Sequence, residues 1–256
     1  MTEYGSAGLK WLYGPLLPAT NALFARAWFS RLLAWPSTWK RSAASIAPFA
    51  AKWGIDLEEY EPGWTTFDEF FTRSFRSGAR PVDPDPDTLV APADSRMSVY
   101  DLGVGTFTAK GFEYTASSIV GRDCAAPAAA VFRLRVDDCH RYCFPADGEV
   151  LETYEIPGRL HTVGPYSAGI VPVLAENYRM VTVFETARFG TLHIVEVGAM
   201  LVGRITNHPV RWARRGQEKG FFGYGGSTIV ILGDFTAKPA ATEQRVLLGT
   251  AFGRAR

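Results

Sequence analysis

Few residues in this sequence could do chemistry. There are four histidines, His140, His161, His193 and His208, and three cysteines, Cys124, Cys139 and Cys143. In "GFFGYGGSTIVIL", Ser227 and Thr228 stand directly after Gly225-Gly226 and open a β-branched run. Two readings fit that stretch. Gly-Gly followed by Ser-Thr can punctuate a turn before a strand. It can also set a hydroxyl against a peptide bond whose preceding residue has no Cβ, making the Gly226–Ser227 bond the reacting bond. A serine hydroxyl is a weak nucleophile at neutral pH without a base to take its proton, so the histidines matter next. His140, in "RVDDCHRYCFPADG", follows a β-rich run and has Asp137 and Asp138 beside it. His193 alternates with apolar neighbours in "TLHIVEV" as a strand residue does, and His208 precedes a proline in "ITNHPV" as a loop residue does. Asp94 in "APADS" adds a carboxylate that carries little weight alone. The cysteines form no CxxC pair and no second cluster, so neither a metal site nor a disulfide framework is expected.

The elements that must position these residues are of two kinds. To about Arg80 the apolar spacing is helical. Phe24, Trp28, Leu32 and Trp35 recur on one face of a helix with Asn21 as its N-cap and Pro36 at its end. A second helix is expected over Ser42 to Trp53, stopped at Gly54, and a third in "TTFDEFFTRSF", capped by Thr66 with Phe67, Phe70 and Phe71 on one face. A Pro- and Asp-rich linker follows, "RPVDPDPDTLVAPADS". Beyond Leu89, β-rich runs alternate with Gly and Pro turns: "AAVFRLRV", then "MVTVFET" and "FGTLHIVEVGAMLVGRI" joined by the hairpin signal "ARFG", then "STIVILGDF". The fold class expected is α+β, with amphipathic N-terminal helices over residues 1–80 and a mostly antiparallel β-sheet catalytic domain over 81–256.

Composition narrows the classes. Hydrophobic residues make up 47% and charged residues 21%, which is ordinary for a globular chain and argues against disorder. The net charge of +1 says nothing of partners, but its distribution does. Between Tyr4 and Ile55 there is no Asp or Glu, while Lys10, Arg26, Arg31, Lys40, Arg41 and Lys52 and five of the seven tryptophans lie there. Bulky aromatics with basic neighbours and no acids suit a membrane interface; packing onto the sheet and an organellar transit peptide are the other readings. No secretory leader or spanning apolar run is found, so a reducing, cytoplasmic setting is expected. G-x-S-x-G, P-loop and dinucleotide fingerprints are all missing.

"KGFFGYGGSTIVIL" resembles the self-cleavage motif of the phosphatidylserine decarboxylase family, in which a Gly-Ser-Thr sequence is cut before its serine. Other segments agree in order from about Thr65 to Asp234. They are "TTFDEFFTRSFRSGARPVD", "APADS" for the family's Pro-Ala-Asp-Gly, "DDCHRYCFPADG" for its Asp-Tyr-His-Arg segment, "IPGRLHTVGP", "AENYRMVTVFET" and "VEVGAMLVGRI".

The resemblance implies a self-processing enzyme. Ser227 Oγ attacks the Gly226 carbonyl, and elimination then leaves a chain of residues 1–226 and one of residues 227–256, headed by a pyruvoyl group made from Ser227. That covalent cofactor forms a Schiff base with phosphatidylserine and withdraws electrons as CO2 leaves, giving phosphatidylethanolamine. Asp94, His140 and Ser227 are implied as a processing triad, Asp orienting His and His activating Ser, with His140 also a proton donor. The implied partners are the phospholipid substrate, an anionic membrane surface on the cytoplasmic side, and the two fragments for each other, with further homo-oligomerisation open and no nucleic acid. Where many relatives carry a second histidine this chain has Cys143, so His140 alone, His161 or Cys143 could complete the base. Decarboxylation of a soluble amino acid and an unprocessed lipid-binding homologue are the alternative functions.

Overall fold

Helical periodicity in the first part of the chain gives helices in the computed structural model, which describes residues 11–103, 105–109, 111–163, 167, 169–200, 204–225, 227–238 and 240–256. The helix expected from Asn21 to Trp35 is divided. Thr20–Phe24 forms a π-helical turn, α1 spans Ala27–Ala34, and a 3-10 turn takes Trp35–Thr38. The physical reason is at Ala25, whose carbonyl leaves the helical ladder to accept from Leu160 N (2.7 Å), so the N-cap falls at the extended Arg26 rather than at Asn21. The other two expectations hold closely. After a 3-10 stretch, α2 runs Ile46–Trp53 and ends on Gly54 in the left-handed region (φ 64°). Helix α3, Phe67–Phe71, is capped by the Thr66 side chain accepting from Glu69 N (3.2 Å), and it buries Phe67, Phe70 and Phe71.

The strands that follow are β1 Thr88–Val90, β2 Ser95–Asp101, β3 Thr106–Ala109, β4 Phe112–Thr115 and β5 Ala128–Leu134. Next come β6 Arg141–Cys143, β7 Gly148–Ile156, β8 Arg179–Thr186, β9 Gly190–Gly198 and β10 Ile205–Asn207. The last are β11 Trp212–Ala213, β12 Glu218–Phe222, β13 Ser227–Gly233, β14 Ala240–Val246 and β15 Ala251–Arg254. An eight-stranded sheet has the order β11-β7-β8-β9-β13-β5-β2-β14, every neighbour antiparallel, and β10-β12-β6 form a smaller sheet beside it. The chain is thus α+β, helices first and mostly antiparallel sheet after. Within the expected linker, Thr88–Val90 is a buried strand that pairs with β15 at the far end of the chain.

Strand β13 explains why its sequence is apolar without alternation. It lies between β9 and β5, and both faces are covered: Ile229 and Ile231 face a core with Phe132, Phe184 and Phe222, while Val230 and Leu232 face a second core with Val131, Val195 and Val197. Each such side chain stabilises the fold by about 1.5–3 kcal/mol on burial. Small and large sheets are tied by a buried polar chain. Lys219 of β12 pairs with Glu196 of β9 (2.8 Å), Asn207 Nδ2 donates to Glu196 (3.1 Å), and Tyr142 OH donates to Asn207 Oδ1 (2.9 Å).

Candidate active site

Ser227 is the first residue of β13, paired across the sheet with Leu134 of β5 and Gly198 of β9. Alternation puts its side chain on the face of Ile229 and puts Thr228 on the other. Both residues are fully buried, and neither Ser227 Oγ nor Thr228 Oγ1 has a hydrogen-bond partner among the described residues. An unpartnered buried hydroxyl costs about 1–3 kcal/mol, so a dry, unbonded serine at this position calls for a functional reason. Before it, Gly225 holds φ 137°, a conformation that side-chain-bearing residues rarely adopt. Gly226, the expected cleavage position, lies outside the described residues. Tyr224 packs edge-on against Phe67 and Phe71 of α3, so the helix buttresses the loop that leads to Ser227.

His140 is fully buried in the turn between β5 and β6, and its carbonyl accepts from Phe222 N (2.9 Å) at the end of β12. The segment after α3 staples this turn. Arg73 NH2 donates to Asp137 O (2.7 Å), Cys139 Sγ donates to Arg73 O (3.2 Å), Arg141 Nε donates to Thr72 O (2.8 Å), and the Phe71 ring lies 4.0 Å from the imidazole. His140 Nδ1 stands 3.0 Å from the Asp138 carbonyl. A carbonyl can only accept, so Nδ1 carries the proton and Nε2 presents its lone pair, with no partner among the described residues. Burial, then the Arg73 guanidinium, pushes the imidazole pKa down to about 3, against a smaller opposing pull from the backbone of Asp138 and Gly225. His140 is therefore a neutral ring, open for accepting a proton, set against the loop before Ser227.

Asp94 is buried elsewhere in the network. Its carboxylate takes Arg80 Nε (3.0 and 3.1 Å), Arg80 NH2 (2.7 Å) and Leu248 N (2.8 Å), and Arg80 also reaches Glu59 (2.9 Å). Among the described residues no hydrogen bond joins Asp94 to His140. The structure brings His140 to the loop that ends at Ser227, and it holds Asp94 on Arg80. His193 sits in β9 against Cys124 Sγ (3.6 Å) and His208 is half-exposed on Glu218 (2.7 Å), as strand and loop residues.

A model of the family described as phosphatidylserine decarboxylase matches residues 67–254, which takes in every element of this site from α3 to the last strand. The chain belongs to the phosphatidylserine decarboxylase family. Its relatives include a protein named phosphatidylserine decarboxylase proenzyme 2 from Clostridium acetobutylicum, 38% identical over 239 residues, 90% of this chain and 82% of the relative. A Xylella fastidiosa proenzyme of the family is 38% identical, covering 78% of this chain and 80% of its own, and one from Chlamydia trachomatis is 33% identical over 80% and 72%.

Within this decarboxylase family the substitution at Cys143 decides which groups can act as base. Burial pushes the Cys143 thiol up to about 12, and Sγ donates to the Ala91 carbonyl (3.8 Å); Cys139 is pushed up to about 11. Both thiols are thus held in their protonated form. His161 is fully buried beside the end of β9. Asn177 clasps it, accepting from His161 N (3.1 Å) and donating to His161 O (2.9 Å) and to Gly198 O (2.7 Å), and Gly198 is the cross-strand partner of Ser227. Burial, with Arg159 adding to it, pushes His161 down to about 4. Asn177, Arg73 and Arg80 were not singled out from sequence because each acts through a long-range contact, whereas Asp138, two residues before His140, carried a local signal.

Proposed function

We propose that this chain cuts itself between residues 226 and 227 and that the resulting pair of fragments, 1–226 and 227–256, decarboxylates phosphatidylserine to phosphatidylethanolamine and CO2. One observation carries this reading: a fully buried, unpartnered Ser227 hydroxyl opens the central strand, directly after a loop that contacts a neutral, lone-pair-bearing His140. His140 Nε2 takes the Ser227 proton as Oγ adds to the carbonyl carbon of residue 226. The Asp138 carbonyl keeps the ring in the accepting tautomer. Asp94 acts further out, fixing Arg80 and the β14–β15 turn through Leu248. The chemistry supplied by a pyruvoyl group at residue 227 is electron withdrawal from the substrate's amine-bearing carbon. His140, buried among Phe71 and the β6 residues, keeps that chemistry away from water and holds a position from which to return a proton.

The membrane reading draws support from the N-terminal region. Trp11, Trp28, Leu32, Leu33 and Trp35 are all about half exposed or more, and no helix among the described residues is long and apolar enough to cross a membrane. A cavity of about 650 Å³, lined by Trp28, Leu32, Trp35, Arg204 and Tyr224, runs from this apolar face to the loop before Ser227. We take the protein to lie peripherally on the cytoplasmic face of a membrane, drawing its lipid through that opening. The test is CO2 release from phosphatidylserine in vesicles against release from free serine. Turnover of the vesicle lipid alone supports the proposal, and equal turnover of the soluble amino acid contradicts it.

A further inference from the structure

The uncovered face of α1 is not purely apolar. Trp28, Arg31, Leu32 and Trp35 recur at helical spacing, and all four line the cavity of about 650 Å³ that runs to the loop before Ser227. From the small sheet the cavity takes Arg204, which stands just before β10 and is exposed. The Arg204 carbonyl accepts from Gly223 N (2.9 Å), and its guanidinium carbon lies 5.5 Å from the centre of the Phe221 ring. No carboxylate among the described residues lies within ion-pair distance of Arg204. Asp68 of α3 is the one acid in the cavity wall among the described residues, so two guanidiniums stand against one carboxylate. Gly223 and Tyr224, from the loop that leads to Ser227, complete the wall.

We infer that Arg204 and Arg31 hold the phosphodiester of the lipid headgroup, and that this pair sets the preference for a phospholipid over a free amino acid. The inference rests on the lipid decarboxylation proposed above. The substrate carries its amine and carboxylate at one end, then the phosphodiester, then the acyl chains. The wall offers a partner for each part: the loop before Ser227, an arginine tied to that loop through Gly223, and an apolar helix face open to the outside. The phosphodiester follows the amine by only a few bonds, so its partner must stand beside the Ser227 loop, and Arg204 does. A guanidinium gives two parallel N–H donors to phosphate oxygens. The rings of Trp28, Trp35 and Tyr224 keep part of the surrounding water away and so strengthen that contact. Free serine has no phosphate and gains nothing from the pair.

The test uses the full chain, with Ser227→Ala to keep it uncut, titrated calorimetrically with glycerophosphoserine, serine and inorganic phosphate. Glycerophosphoserine is expected to bind about 10-fold more tightly than either of the others. Arg204→Gln and Arg31→Gln should each remove most of that advantage, and Arg204→Lys should keep part of it, with melting temperatures confirming that the variants fold. Glycerophosphoserine bound no more tightly than serine, including no detectable binding of either, overturns the inference. So does an advantage that survives Arg204→Gln, and so does phosphate bound as tightly as glycerophosphoserine, which would mark a simple anion site. In the cleaved enzyme, Arg204→Gln is expected to raise KM for phosphatidylserine in vesicles about 10-fold with kcat within a few-fold. A fall in kcat at unchanged KM contradicts a binding role. Should the parent turn over free serine as well as the lipid, the functional reading fails, and the titration still decides the phosphodiester site.

Discussion

The N-terminal helices and the central strand β13 are both rich in large apolar residues, and they use them in opposite ways. Along β13 every residue is buried and both faces meet a core, so the sheet creates a dry place for a hydroxyl. Along α1 and the turn after it, Trp28 and Trp35 are 56% and 59% exposed, and the only buried residue of α1 is Ser30. Amphipathic spacing alone does not say which side of a helix faces the protein; here the bulky side faces out. The lesson is a division of labour: the sheet keeps water from the chemistry, and the helices present a surface that another apolar phase can cover.

That contrast can be broken at either end. Replacing the buried hydroxyl should do most: Ser227→Ala abolishes both fragments on a denaturing gel and all decarboxylation. His140→Gln is expected to slow cleavage by about 10²–10⁴, the usual contribution of a positioned base, while Cys143→Ala leaves it within a few-fold. A Cys143→Ala loss as deep as that of His140→Gln would show that the thiol is the base after all. The buried tie between sheets should be costly to halve. Lys219→Met leaves Glu196 buried without its cation and is expected to destabilise the fold by about 3–5 kcal/mol in urea melts, and adding Glu196→Leu should recover most of it.

Titration gives a smaller, graded effect. His140 and His161 are held near 3 and 4, below their unfolded value of 6.5, so the unfolded chain binds more protons in that window. Their contribution to stability is complete above pH 6.5 and is lost as the pH falls through the window toward the folded values. Asp138, raised to about 6 by burial, works with the opposite sign and favours folding at low pH. The two histidines dominate, so melting temperature should fall from pH 7 to pH 4, and His161→Gln should flatten that fall. The acid limb of the cleavage rate should likewise sit well below the pKa of an ordinary histidine. At the outer face, Trp28→Ser with Trp35→Ser should weaken binding to anionic vesicles about 10-fold in co-sedimentation, since two interfacial aromatics are lost together. Unchanged vesicle binding would remove the helices' part of the contrast.

What could be read in the sequence was what short-range rules encode. Thr66 as a cap, Gly54 as a stop, the Phe67–Phe70–Phe71 face and the unbroken apolar run after Ser227 all depend on neighbours a few residues away. Ser227 and His140 were put forward as site residues because motif order carries them. The break in the first helix was hidden because its cause is Leu160, which takes a carbonyl at Ala25 from far along the chain. The same holds for Thr88–Val90, whose strand partner is β15, for Arg80 on Asp94, and for Tyr13 on His161, which are 148 residues apart. Closing such contacts depends on the whole topology, and no local periodicity reports it.

The most direct test of self-cleavage at Ser227 is the mass of the purified chain. The account predicts two species, a large fragment ending at residue 226 and a small one reaching Arg256 whose first residue, 227, is a blocked pyruvoyl group. A single species of 28.1 kDa with Ser227 intact would contradict it.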